Sequence, residues 1–231
     1  MQVYVSSEAI NLTDRRCSTK LMHSSFIGGE HSRSYLRITR TMLLRILSYH
    51  QVMPSYIDMI SIFGSQLNAK ELRFSGFREQ TVLCNIPPQL QIPELGRSGK
   101  HFQICYHLKT ANRTTPADTA RQEQKWSIRP AVFYHQFDVE YGTAVWIVTK
   151  GEVKDIKGQI QDITGVKGRP TDRAFGTTEE CFRSSFSIHL FYCNWATETW
   201  RWYIQWLEYR VDLEVSFRET MTNFFSASDV N

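Results

Sequence analysis

An α+β fold, with a central and mainly antiparallel sheet packed by helices and ending in an aromatic-rich helix, is predicted by three features of the sequence. Residues 128–139 and 144–150 are strongly apolar, and Glu140-Tyr141-Gly142-Thr143 between them has the composition of a hairpin turn. Residues 101–109 alternate, with Phe102, Ile104, Tyr106 and Leu108 of one parity, as a half-buried strand does. The last third of the chain carries apolar residues at helical spacing behind capping signals.

Taken in order, residues 1–38 are rich in Ser, Gly and scattered charge and read as a flexible N-terminal arm. Thr39 is a suitable N-cap for a helix over residues 40–51, with Met42, Leu43, Ile46 and Leu47 on one face. Pro54 breaks that helix, Ser55 caps a second, and Gly64 stops it. Residues 72–77 alternate like a strand, and the prolines and glycines of residues 85–100 read as a loop. After a polar connection over residues 111–125 comes the 128–150 hairpin. Apolar residues of both parities there predict a central position covered on two faces.

Residues 151–176, glycine-rich and polar, read as a surface loop or as short strands. Thr177-Thr-Glu-Glu180 has capping-box form and opens a helix through Phe182, Phe186, Leu190 and Cys193. Thr197 is expected to cap a last helix. Its stripes, Trp200, Ile204, Leu207 and Val211 beside Trp202, Trp206 and Tyr209, suggest burial on two sides. The expected organisation is the arm at 1–38, one domain at 39–215 and a tail at 216–231.

Composition excludes several classes. The 231 residues are 42% hydrophobic and 13% aromatic, enough for a sizeable core, and a formal net charge of +4 is too small to indicate nucleic acid. Five cysteines with no CxxC pair argue for reduced thiols and against a disulfide framework or zinc knuckle. The opening residues lack the form of a signal peptide. The best apolar runs, 144–148 and 188–193, fall far short of the about 20 residues that a bilayer span needs.

Five constellations are candidates for chemistry. Gly96-Arg-Ser-Gly99-Lys100 has the residue types of a phosphate loop but not its spacing, so a plain turn is favoured. His135 and Asp138 suit an acid/base pair by type, yet residues three apart on a strand face opposite ways. Asp155, Asp162, Glu179 and Glu180 are the candidate ligands for a divalent cation such as Mg²⁺, although Glu179 and Glu180 also suit a helix N-terminus. Arg33, Arg37, Arg40 and Arg45 read as a solvated helix face. The aromatic helix of residues 195–209 reads as packing, or as a docking face for further protein.

Several segments together resemble a known family. They are Ser48-Tyr-His-Gln-Val-Met-Pro-Ser-Tyr56, Phe74-Ser-Gly-Phe77, Ile92-Pro-Glu-Leu-Gly-Arg-Ser-Gly99, Trp126-Ser-Ile-Arg129, Tyr134-His-Gln-Phe-Asp138, Trp146-Ile-Val-Thr-Lys150 and Asn194-Trp-Ala-Thr-Glu-Thr-Trp-Arg-Trp-Tyr203. In that order they resemble the fungal CorA-like transporter domains over roughly residues 35–215. The resemblance implies a non-catalytic cytoplasmic domain of a magnesium or divalent-cation transporter, with a regulatory or assembly role and Mg²⁺ as a regulatory ion. It implies as partners other copies of the chain, or the stalk and membrane portion of such a protein. The Gly-Met-Asn pore signature is not in this sequence, and the tail is expected to be the truncated start of a stalk. The alternative is a stand-alone protein-interaction module that has lost its channel.

Overall fold

The computed structural model describes residues 5–10, 22–30, 34–64, 75–114, 125–150, 156, 158–160, 162, 169–170, 174 and 176–228. Among these residues six strands, β1 (Val5–Ile10), β2 (Met22–Gly28), β3 (Phe77–Val82), β4 (His101–Thr114), β5 (Lys125–Asp138) and β6 (Ala144–Lys150), form one sheet in the order β1-β2-β6-β5-β4-β3. The α-helices named among the described residues are α1 (Arg40–Tyr49), α2 (Ser55–Ile60), α3 (Thr178–Thr197) and α4 (Trp200–Ser228), and residues 156, 158–160 and 162, in the segment expected to be a loop or short strands, are helical as well. The α+β class, the mainly antiparallel sheet and the terminal aromatic-rich helix expected from the sequence are all present. The chain divides into two compact units, Met1–Lys109 with Arg129–Cys193, and Thr110–Ile128 with Asn194–Asn231.

The first unit is organised by the hairpin. All seven residues of β6 are buried, and β6 pairs with β5 from Ala131↔Lys150 to Phe137↔Ala144. The β5 strand runs through Pro130, which sits one residue beyond the last pair with β6, so its missing N–H interrupts no bond of that ladder. On its other side β6 pairs in parallel with β2, from Met22↔Ala144 to Gly28↔Lys150. Residues 22–28, read from the sequence as part of an arm, are therefore a strand of the sheet, with Ile27 fully buried. The period-two signal failed there because Ser24 and Ser25 are buried beside Phe26 and Ile27. Backbone pairing holds the strand whatever its side chains are.

One face of the sheet is covered by α1 and α2. Thr39 Oγ1 accepts from the Met42 amide at 3.2 Å, as an N-cap should. Pro54, not Ser55, is the N-cap of α2, which places Ser55 at the first helical position. Leu47, Met53, Tyr56, Met59, Ile60 and Phe63 pack with Ile27, Cys105, Val132, Tyr134, Val145 and Ile147 in one core.

The parity of β4 departs from the sequence reading. Its polar residues His101, Gln103 and His107 are buried with Cys105, whereas Phe102, Ile104 and Leu108 are only half-buried. Hydrogen bonding explains the inversion: Gln103 Oε1 accepts from the Met53 amide at 2.8 Å and Gln103 Nε2 donates to the Gln51 carbonyl at 3.1 Å. The sheet edge is β3 at Phe77–Val82, later than the strand expected at 72–77; residues 72–74 lie outside the described residues. Its charged and polar Arg78, Glu79, Gln80 and Thr81 are what an exposed edge needs.

The opposite face carries α3. Thr177 Oγ1 accepts from the Glu180 amide at 3.1 Å, and Glu180 Oε2 accepts from the Thr177 amide at 3.0 Å, so the capping box forms. The helix buries Cys181, Ser184, Ser185, Ile188 and Tyr192 and leaves Phe182, Phe186 and Leu190 exposed. Small residues at 181, 184 and 185 let its backbone approach the aromatic face of β5 and β6, which an apolar-stripe argument does not anticipate.

In the second unit, Tyr203 of α4 packs against Trp126 (ring centroids 5.6 Å apart), Trp200 (5.7 Å) and Trp206 (5.9 Å). Thr197 does not cap α4: it ends α3, and its hydroxyl donates to the Asn194 carbonyl at 3.1 Å. The expected burial of α4 on two sides is not found among the described residues, where Trp202, Ile204, Leu207, Tyr209 and Val211 are exposed.

Candidate functional site

A cavity of about 880 Å³ opens between the half-covered face of β4 and the exposed stripe of α3. Phe102, Ile104, Tyr106, Leu108, Phe182 and Phe186 give it an apolar wall. The alternation of β4 and the i, i+4 spacing of Phe182 and Phe186 put these side chains opposite each other. Among the described residues no Asp, Glu, Lys or Arg lines it. Phe102 packs on Phe137 (centroids 5.6 Å apart) and edge-on to Phe182 (6.0 Å), which ties the wall to the core.

A hydrogen-bonded chain runs along one side of the cavity. Tyr106 Oη lies 2.7 Å from His189 Nδ1, and His189 Nε2 lies 2.9 Å from His135 Nδ1. His135 lies flat on Trp146, with centroids 4.2 Å apart and planes at 15°. Burial holds His189 down at about 4, and burial followed by the neighbouring His189 holds His135 well below the usual histidine value. Burial likewise pushes the Tyr106 phenol up. All three groups are therefore neutral at pH 7, and each imidazole has one donor and one acceptor nitrogen. His135 Nε2 and Ser185 Oγ, both on cavity-lining residues, are buried without a hydrogen-bond partner among the described residues.

His135 and Asp138 do not meet. His135 faces α3, whereas the Asp138 carboxylate accepts from Ser98 N (2.6 Å), Ser98 Oγ (2.9 Å), Glu140 N (3.1 Å) and Tyr141 N (2.9 Å). The Gly96–Lys100 segment is the other half of this clamp and not a phosphate cradle. Gly96 and Gly99 have φ of 64° and 84°, and a Cβ at Gly99 would come within 2.4 Å of Ile86 Cγ2. Lys100 pairs with Glu140 at 2.8 Å. Because Asp138 is buried, Asp138→Ala is expected to leave several donors without an acceptor and to cost about 3 kcal/mol or more. Urea denaturation checks this, and a loss under about 1 kcal/mol would show that the clamp is dispensable.

A second basic cluster lies on the α1 side. Arg97 is buried, donates to the Tyr49 carbonyl, lies 3.4 Å from His50 Nδ1, and sits 5.0 Å over the Tyr49 ring. Burial first, then Arg97, then His23, hold His50 down at about 4.

Of the four candidate metal ligands, Asp155 lies outside the described residues. Asp162 is exposed, Glu179 pairs with Arg183 at 2.9 Å, and Glu180 closes the capping box. Among the described residues no group of three or more His, Cys, Asp or Glu side chains is arranged to hold a metal ion. Of the arginines, Arg33 lies outside the described residues, Arg37 pairs with Glu30, and Arg40 and Arg45 are exposed. Sequence reasoning missed the partnership of His135 with His189 and Tyr106. The only signal was His189 interrupting the apolar run 188–193.

The fold and site define an α+β domain with an apolar, histidine-bearing cavity in which no helix among the described residues is long and apolar enough to cross a membrane. Residues 6–217 match the family model of the CorA-like transporters, and the chain belongs to that family. No curated protein matches the chain. No solved structure matches it either.

Proposed function

We propose that this chain is a non-catalytic, cytoplasmic domain of a CorA-like magnesium or divalent-cation transporter, with a regulatory or assembly role. The observation that carries the reading is the family match over residues 6–217. The exposed apolar stripes of α4 support an assembly role, because side chains such as Trp202, Val211, Leu213 and Phe217 gain free energy on being covered. A divalent cation shared between subunits needs only one or two carboxylates from each, the rest of its shell being water. In this reading the exposed Asp162 and Glu179 would supply them, Glu179 giving up its pair with Arg183. Assembly would then be a population shift driven by the metal's preference for the associated state.

The test is sedimentation of the purified chain with and without millimolar Mg²⁺, with Ca²⁺ as control. The expected result is an Mg²⁺-dependent shift from monomer to oligomer that weakens in Asp162→Asn and Glu179→Gln. A monomer unchanged by Mg²⁺ would overturn metal-driven assembly. It would favour the second reading, a protein-interaction module, for which the same exposed face of α4 is the supporting observation.

A further inference from the structure

We propose that the cavity between β4 and α3 is a binding site for a neutral small molecule with an apolar body and one hydroxyl group. The size fits: about 880 Å³ lies within the roughly 300–1,000 Å³ of small-molecule sites. The chemistry of the wall selects the class. With no Asp, Glu, Lys or Arg among the described lining residues, a charged ligand would lose its hydration and gain no counter-ion. Phe102, Ile104, Leu108, Phe182 and Phe186 instead reward an apolar body.

The wall also marks where one polar group must go. His135 Nε2 and Ser185 Oγ are buried on lining residues and have no partner among the described residues, and burying a polar atom unpaired costs about 1–3 kcal/mol. The chain through His189 sets what those atoms can accept. If Tyr106 donates to His189 Nδ1, the proton on His189 Nε2 points to His135 Nδ1, and His135 Nε2 carries an N–H. If the chain runs the other way, His135 Nε2 is a bare acceptor. A hydroxyl both donates and accepts, so it satisfies His135 in either state and Ser185 as well. The exposed positions of Phe77, Phe182 and Phe186, all on the lining, leave the mouth open to solvent.

The test is a ligand-observed NMR titration of the full chain with naphthol, naphthalene and anionic naphthoate at pH 7. Naphthol is expected to bind saturably, about 5- to 10-fold tighter than naphthalene, one hydrogen bond's difference, and tighter still relative to naphthoate. His135→Phe should abolish the preference for naphthol over naphthalene. Because His135 is buried, Phe186→Asp at a 53%-exposed position is the variant that stands if the first fails to fold. It should weaken naphthol at least about 10-fold with an unchanged circular-dichroism spectrum, since it sets a carboxylate in the apolar wall. Absence of saturable naphthol binding, equal affinity for naphthol and naphthalene, or an unaffected Phe186→Asp variant would each overturn the proposal.

Discussion

Trp146→Ala is expected to destabilise the chain by about 3–5 kcal/mol, the range for removing a large buried aromatic. Trp146 is 1% exposed at the middle of the fully buried β6 strand. Its ring lies flat on His135 and packs against His189 (centroids 4.5 Å apart) and Tyr192 (5.4 Å). The neighbouring strand and α3 cannot collapse into the gap without moving the hairpin, so the void term adds to the lost burial. Natural domains hold only about 5–15 kcal/mol of stability, so this loss is a large share of the total. Trp202→Ala, at a 59%-exposed position on α4, is the contrast and should change stability by no more than about 0.5 kcal/mol. Urea denaturation of both variants measures this. A loss under about 1 kcal/mol at Trp146, or equal effects at the two sites, would contradict the placement of the hairpin at the centre of the sheet.

Acidification from pH 7 to pH 5 is expected to produce the second large effect. His50 and His189 are each held down at about 4 in the folded chain, against an ordinary value near 6.5 in the unfolded one. Between those limits the unfolded state binds more protons than the folded state, so stability rises with pH. The contribution is fully present above about 6.5 and is lost as pH falls towards 4. At pH 5 each histidine costs on the order of 2 kcal/mol relative to pH 7. His135, held lower still by burial and by His189, acts in the same direction. The groups around them reinforce the sign: Arg97 and His23 beside His50 disfavour a further positive charge, and His189 disfavours protonation of His135. The check is the urea midpoint at pH 7, 6 and 5, with His50→Gln as the variant that should flatten the slope. A midpoint that does not move between pH 7 and pH 5 would refute it.

These two sites show different degrees of legibility. The hairpin was visible because apolar residues of both parities, Val132 and Tyr134 with Phe133 and Phe137, have only one economical arrangement in a sheet. Thr39 and the Thr177–Glu180 box were visible because capping is local chemistry within one turn. The cavity was not visible. It depends on β4 turning its more apolar face towards the less complete cover, and on α3 approaching through Ser184 and Ser185 while Phe182 and Phe186 stay outside. Neither outcome is a property of one segment.

What the sequence by itself determined is the α+β class, the central 128–150 hairpin, the starts of α1 and α3, the incompatible facing of His135 and Asp138, and the resemblance to the family that matches over residues 6–217. These rest on periodicity, on local capping and on residues quoted in order. Only the tertiary structure decided that Met22–Gly28 joins the sheet, that Gln103 is buried beneath Gln51 and Met53, and that His135 reaches His189 across 54 positions. The physical reason is common to all three. A backbone ladder, or a polar group satisfied by a distant partner, overrides the hydrophobic pattern that a single segment displays.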